Sequence, residues 1–392
     1  MENDKSTVNT GLRGVTVAST RISHVDGKAG KLIYRGFLAK DLAESATFEE
    51  VAHLLIYEGL PDAETLDGFR RQLAAARPLP EGLIAALKSL PPDSRPMDVL
   101  QAAVCLLAAD DAELTDQSLA AEQLRATRLV AKLATLVAAW HRIRQNLAPV
   151  MPDPDLDHAA NFLYMLSGQR PERDVARFFD VALVLHAEHA FNASTFTARQ
   201  VASTRAHLYA AVSAAVGSLS GELHGGANVR VMEMLKAIGS PENVEAYVHR
   251  ILDEGQKIMG LGHAVYKVDD PRAHILAPMS REMGRRVGQP QWYEMSKLLE
   301  SKGKAAFKAR KGVEIFVNVD FYSASLFYAM GIPMDLFTPV FAVSRVSGWS
   351  AHVIEERFAL AAPKPALYRP GSDYVGDYCG PAECTYVPME KR

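Results

Sequence analysis

The sequence predicts a mainly α-helical protein: a large helical domain with a smaller helical domain inserted in it, and a substrate cleft between the two. Two observations carry this. From residue 47 nearly to the end, apolar residues recur at helical spacing, interrupted by Pro, Gly or Asp, and no long segment alternates as a strand would. Residues 225–325 are dense in Lys, Arg and Glu and carry glycine-flanked motifs at or near their edges, as a small inserted domain would. The expected division is 1–224 and 326–392 for the large domain and 225–325 for the small one, with ligands bound between them.

Residues 11–36 read as irregular or β, with Lys31-Leu-Ile-Tyr-Arg-Gly36 a short strand ended by glycine. Thr47-Phe-Glu-Glu50 is a capping box: hydroxyl and carboxylate satisfy the free N–H groups of a helix start. Val51, Leu54 and Leu55 form that helix's apolar stripe, and Gly59 and Pro61 stop it. A second helix starts at Asp62, with Leu66, Phe69 and Leu73 in step. Further helices are expected over 81–90, 97–109, 117–146, 156–167, 172–190, 206–220, 229–238, 242–255, 272–287, 292–309, 321–330 and 335–360. No tandem repeat interrupts the series.

A chain of 392 residues with 48% hydrophobic content can bury a large core, and a net charge of -3 argues against a nucleic-acid protein. Cys105, Cys379 and Cys384 suggest free thiols in a reducing compartment rather than a disulfide framework or a zinc site. Met1–Thr10 carries Glu2 and Asp4 and resembles neither a signal nor a transit peptide. The longest uncharged apolar run, Leu208–Leu219, falls short of the roughly 18 residues of a membrane span. A soluble cytoplasmic protein without membrane contact is expected.

Three motifs present chemistry. Gly221-Glu-Leu-His-Gly-Gly-Ala-Asn228 sets His224 among glycines, where backbone can approach a ligand closely, although a turn histidine bonding its neighbours would look similar. Gly260-Leu-Gly-His-Ala-Val-Tyr-Lys267 presents His263, and Asp270-Pro271 is a helix start that places Arg272 in the first turn; His263, Lys267 and Arg272 make an anion-binding corner or a solvated basic loop. Asp320, among apolar neighbours in Asn318-Val-Asp-Phe-Tyr-Ser323, suits a base of raised pKa and equally an N-cap for the next helix. Two imidazoles and a carboxylate are a set for acid–base chemistry at carbon.

Other residues are weaker signals. His186-Ala-Glu-His189 has the spacing of some metal sites, but one histidine facing substrate and one facing the core accounts for it better. Arg345 sits in an apolar helix, where an arginine either binds an anion or reaches out to solvent. Arg369 is a loop arginine with no assigned work. Several arginines together suggest a di- or tricarboxylate ligand, which guanidinium binds bidentately.

In order and separation, Leu-His-Gly-Gly-Ala-Asn, Gly-x-Gly-His-Ala-Val-Tyr-Lys with Asp-Pro-Arg, and Asn-Val-Asp-Phe-Tyr-Ser resemble the citrate synthase family, from Gly11-Leu-Arg-Gly14 to Arg-Pro370. The resemblance implies a mainly α homodimer whose domains close on substrate. It implies the tricarboxylic-acid-cycle condensation of acetyl-CoA with oxaloacetate to citrate and CoA, with no cofactor beyond the co-substrate and no metal. By motif, Asp320 would deprotonate the acetyl methyl, His224 would stabilise the enol, and His263 would polarise the oxaloacetate carbonyl. His189, Arg272, Arg345, Phe341 and, from the neighbouring subunit, Arg369 would hold oxaloacetate. Gly260, Leu261, Gly262, Lys267 and Lys311 would meet CoA. Departures from the family pattern are Glu188-His189-Ala190 for Asp-His-Glu, Ala324 for glycine and Gly371 for a basic residue. Because the resemblance begins near residue 11, allosteric inhibition by NADH is not expected. The rivals are a 2-methylcitrate synthase using propionyl-CoA, a metal-dependent lyase built on His186, His189 and His224, and a non-catalytic scaffold relative.

Overall fold

A computed structural model describes residues 8–12, 14–376 and 384–391; Arg13 of the first resemblance motif and Cys379 lie outside the described residues. The chain opens with a three-stranded antiparallel sheet, β1 (Ser23–Asp26), β2 (Lys31–Tyr34) and β3 (Phe37–Leu38), in that order, with Ser23 opposite Tyr34. Only β2 is singled out by the sequence; β1, of equal length, buries no side chain fully, and β3 has only two residues, so neither shows the alternation of β2.

Helices follow. The first ten are α1 (Ala39–Ser45), α2 (Phe48–Tyr57), α3 (Ala63–Ala76), α4 (Glu81–Lys88), α5 (Pro96–Leu106), α6 (Leu119–Ile143), α7 (His158–Ser167), α8 (Arg173–His186), α9 (Ala193–Ser203) and α10 (Leu208–Leu219). Then come α11 (Ala227–Ile238), α12 (Val244–Asp253), α13 (Pro271–Arg286), α14 (Gln291–Lys311), α15 (Asp320–Ala329) and α16 (Phe337–Arg357). The Thr47 capping box forms as expected: Glu50 N–H donates to Thr47 Oγ1 and Thr47 N–H to Glu50 Oε2. Helices α1 and α9 were not expected. In α9 the signal is thin, because Ser194, Thr195 and Thr197 are weak helix formers and the helix is held by its Asn192 cap and tertiary packing.

Helix α16 is the axis of the large part. Every residue from Phe337 to Glu356 is buried except Phe341, which opens to the cleft. Helices α2, α6, α8, α9 and α10 pack around it. Helices α11 to α15 pack mainly on one another, α13 against α15 and α12 against α14, and meet the rest through α13–α8, α13–α1 and α11–α16.

Two expectations are corrected. The helix expected over 172–190 ends at His186, and residues 187–190 form a loop, with Ala190 at φ +49°, held by Ser23 and Tyr34 from the hairpin. Cys105 is a free thiol, but Cys384 is disulfide-bonded rather than free. No helix among the described residues is long and apolar enough to cross a membrane.

Candidate active site

The site is built around the end of α8. A helix C-terminus leaves carbonyls without intrahelical partners and carries partial negative charge, so it attracts cations. Arg345 Nε donates to His186 O at 2.6 Å, Arg272 Nη1 reaches Leu185 O at 3.5 Å, and Tyr34 Oη donates to Glu188 O at 2.9 Å. Gly348 allows this approach: a Cβ there would lie 2.3 Å from Glu188 Oε2 and 2.4 Å from Ala187 O. One turn before Gly348, Arg345 therefore meets the end of α8 directly.

The two arginines differ. Arg272 is paired bidentately with Asp270, Nε to Oδ1 at 2.9 Å and Nη2 to Oδ2 at 2.7 Å. Arg345 is 1% exposed, and no carboxylate among the described residues pairs with it. Its guanidinium lies 4.6 Å over the ring of Phe341, one turn earlier on α16. Burial lowers its pKa to about 10, so it stays charged at neutral pH. A buried, unpaired guanidinium is costly unless an anion completes it.

The segments that carry His263 and Asp320 are joined by a short β-bridge, Leu261 with Val317. Around it Gly262 N–H donates to Phe316 O at 2.7 Å and Asn318 N–H to Gly260 O at 2.9 Å. Gly260 lies at φ +79°, and a Cβ there would sit 2.5 Å from the Phe321 ring, so this turn demands glycine. Asn318 links both sides: its Nδ2 donates to Gly262 O at 3.1 Å and its Oδ1 accepts from Asp320 N–H at 3.1 Å. Asp320 is the first residue of α15, not its cap; Val319 holds that position, and the Asp320 carboxylate remains free for other work. Burial, with help from Asp270, raises Asp320 to about 6 against the pull of Arg272 and Arg345.

The hydrogen bonds dictate the tautomers of both motif histidines. His263 Nδ1 accepts from Val265 N–H at 3.0 Å and Tyr266 N–H at 3.1 Å, so its proton sits on Nε2. His224 Nε2 accepts from Ser194 N–H at 3.2 Å and lies 2.8 Å from Ser194 Oγ, which leaves its proton on Nδ1. Burial, then Arg345, lowers His224 to about 4; burial, then Arg272, lowers His263 to about 4. Each is a neutral imidazole with one N–H to offer.

His189 is buried, its Nε2 has no partner, and its ring meets those of His263 at 5.4 Å and Tyr266 at 5.6 Å edge-on. Burial, followed by Arg272, Arg345 and His263, holds its pKa well below the ordinary value. The charges of Arg272 and Arg345 both reach Asp320 and His189, so motifs far apart in sequence lie within electrostatic reach of the same two arginines. His186 is also buried and feels both of them: its Nδ1 donates to Ala182 O at 2.7 Å and its ring meets Phe341 edge-on at 5.0 Å.

Lys267 and Lys311 are exposed, the first close enough for its charge to lower His263, the second in the last turn of α14. Arg369 is exposed and is not brought into this chain's cluster; it follows Tyr368, whose hydroxyl donates to Glu356 at 2.8 Å. His186, His189 and His224 do not gather as metal ligands. Among the described residues the one set of three close ligand atoms is Asp269, His274 and Glu300, and there Lys304 pairs with both carboxylates. Sequence reasoning missed Tyr34, Ser194, Tyr266 and Asn318 as parts of the site. Asn318 and Tyr266 lay inside the quoted motifs; Tyr34 and Ser194 act through long-range bonds that spacing does not reveal.

Fold and site together present a helical protein in which two buried arginines, a carboxylate of raised pKa and neutral histidines are gathered, a set suited to acid–base chemistry at carbon beside a carboxylate ligand. Comparison with known proteins narrows the class. The family model described as citrate synthase, C-terminal domain, matches residues 11–371. Citrate synthase of Synechocystis is 43% identical over 392 residues, spanning 100% of this chain and 96% of the relative. A 2-methylcitrate synthase of Shewanella oneidensis is 38% identical over 96% of this chain and 97% of its own. Citrate synthase of Thermoplasma acidophilum, solved with carboxymethyl coenzyme A and oxaloacetate, superimposes with TM-score 0.88 at 30% identity, over 98% of this chain and 100% of that one. The chain belongs to the citrate synthase family and is an acyltransferase of the condensing kind.

Proposed function

We propose that the cleft condenses acetyl-CoA with oxaloacetate and water to citrate and CoA. The observation that carries this is Arg345: a buried guanidinium with no carboxylate among the described residues in ion-pair contact, whose charge reaches His224, one of two histidines fixed as neutral N–H donors. Arg345, Arg272 and His189 hold the oxaloacetate carboxylates, with Phe341 beneath Arg345. Asp320, a base of pKa about 6, removes a methyl proton from the thioester. The enol oxygen takes a hydrogen bond from His224 Nδ1–H, and His263 Nε2–H polarises the ketone of oxaloacetate. The nucleophilic carbon attacks that ketone carbon; the alkoxide formed takes up a proton, matching the one left on Asp320, to give citryl-CoA, and water then cleaves the thioester to citrate and CoA.

Residues 225–325 are proposed to close on the rest and keep water from the enol. The Gly260–Gly262 turn with Lys267 and Lys311 would face CoA, and a homodimer would bring Arg369 into the neighbouring site. Neither metal nor further cofactor enters this scheme, and a soluble cytoplasmic setting suits it.

Propionyl-CoA is the competing thioester, since an extra methylene changes discrimination by only about 10- to 200-fold. Product analysis with kcat/KM for both thioesters tests the assignment. Citrate formation with the higher kcat/KM for acetyl-CoA supports it; a clear preference for propionyl-CoA replaces it with 2-methylcitrate synthesis.

A further inference from the structure

The loop 187–190 carries His189 with no secondary structure to hold it, and Ala190 sits at φ +49°, a conformation an alanine keeps only when its surroundings enforce it. The enforcement comes from the far end of the sequence. Ser23, the first residue of β1, donates from Oγ to Glu188 Oε1 at 2.8 Å and accepts at Oγ from Ala190 N–H at 3.1 Å. One hydroxyl thus grips the residues on both sides of His189. Its cross-strand partner Tyr34 ties the same loop to the end of α8, donating to Glu188 O at 2.9 Å and lying 3.3 Å from Leu185 O.

The Glu188 carboxylate is fully buried and cannot drift, because His352 Nε2 lies 3.0 Å from the same Oε1. Arg199 Nη1, always a donor, meets His352 Nδ1 at 3.0 Å, so His352 donates from Nε2 to Glu188. Burial favours the neutral acid at Glu188, yet His352, Arg345 and the Ser23 hydroxyl outweigh it and keep the group ionised. At its other end the hairpin touches the His263 loop: Lys267 N–H donates to Gly27 O at 2.8 Å. A Cβ on Gly27 would lie 2.3 Å from Val265 O, so the contact is close.

We propose that Ser23 is a positioning residue for oxaloacetate recognition, clamping Glu188 and Ala190 so that His189 keeps its place opposite His263. The proposal rests on the assignment of His189 to oxaloacetate. Neither sequence motif nor direct contact with the cleft marks Ser23; its two bonds do.

The test compares the full-length Ser23→Ala, Ser23→Thr and His189→Ala variants with the wild type, measuring kcat and the KM for oxaloacetate and acetyl-CoA separately. Ser23→Ala is expected to raise the oxaloacetate KM by about tenfold, with kcat and the acetyl-CoA KM changed less than about threefold. Ser23→Thr, which keeps the hydroxyl and suits a strand, is expected to restore the wild-type KM. An unchanged oxaloacetate KM in Ser23→Ala, with His189→Ala raising it strongly, overturns the clamp and leaves the site assignment standing. An unchanged KM in His189→Ala overturns both. If Ser23→Ala is poorly folded, Ser23→Thr decides alone beside Ser23→Val of the same shape: loss with valine and retention with threonine supports the clamp, and equal behaviour refutes it.

Discussion

Replacing Arg345 with methionine should damage substrate binding while leaving the free protein about as stable as before. The guanidinium is 1% exposed, and burial lowers its pKa from 12.5 to about 10. At about 1.4 kcal/mol per unit, keeping it charged in the empty site costs about 3 kcal/mol. Methionine removes that cost with a side chain of similar length. It also removes the bond to His186 O, worth about 1 kcal/mol, and the contact with Phe341, worth about 1–2 kcal/mol. These nearly cancel, so the melting temperature without ligand should move by less than about 3 °C. With oxaloacetate bound, the variant lacks a buried ion pair, worth about 3 kcal/mol, and kcat/KM for oxaloacetate should fall about a hundredfold. Differential scanning fluorimetry with and without oxaloacetate reads both effects. A variant that melts many degrees lower yet keeps its oxaloacetate-induced shift would refute the reasoning, because Arg345 would then be a structural cation.

Other expectations follow from named groups. With Asp320 near 6 and acting as a base, kcat/KM for acetyl-CoA should fall as pH drops below about 6 and level off above it; His224 and His263, each near 4, stay neutral and add no limb between pH 5 and 9. Asp180 is raised to about 7 by burial and Glu49, against the pull of the Phe48 N–H and the Arg177 guanidinium that contact it, so the folded state holds its proton more tightly than the unfolded chain. That contribution to stability is present at acid pH and is lost as pH rises toward 7, so Asp180→Asn should gain on the wild type by about 2.5 kcal/mol between pH 5 and 8, measured by urea unfolding. Gly348→Ala drives a Cβ into Glu188 Oε2 and should destabilise the fold by about 2–3 kcal/mol or more and raise the oxaloacetate KM; normal unfolding midpoints would contradict the close approach.

Much of this was legible in the sequence, for local reasons. The Thr47 capping box, the Asp270-Pro271 start and the long apolar stripes act within a turn or two of chain, so pattern alone places those helices. The candidate residues stand out locally because His224 and His263 sit in short, glycine-punctuated motifs and Asp320 lies in an otherwise apolar run. What escaped is non-local. The stop of α8 at His186 depends on Gly348 and on the Ser23–Tyr34 pair, more than a hundred residues away in either direction. The role of Asp320 could not be separated from that of an N-cap until Asn318 was seen to bond its N–H and Val319 to hold the cap position. For Arg345 the pattern allows either solvent or an anion, and its burial excludes the first.

The most direct test of the central claim is thiol release from acetyl-CoA on adding oxaloacetate, followed with a thiol reagent for the wild type and Asp320→Ala side by side. The account predicts oxaloacetate-dependent release by the wild type and a loss of at least about a thousandfold in the variant, with the variant still shifted in melting temperature by oxaloacetate. Release that persists in Asp320→Ala would contradict Asp320 as the base, and no release by the folded wild type from acetyl-CoA would contradict citrate synthesis by this chain.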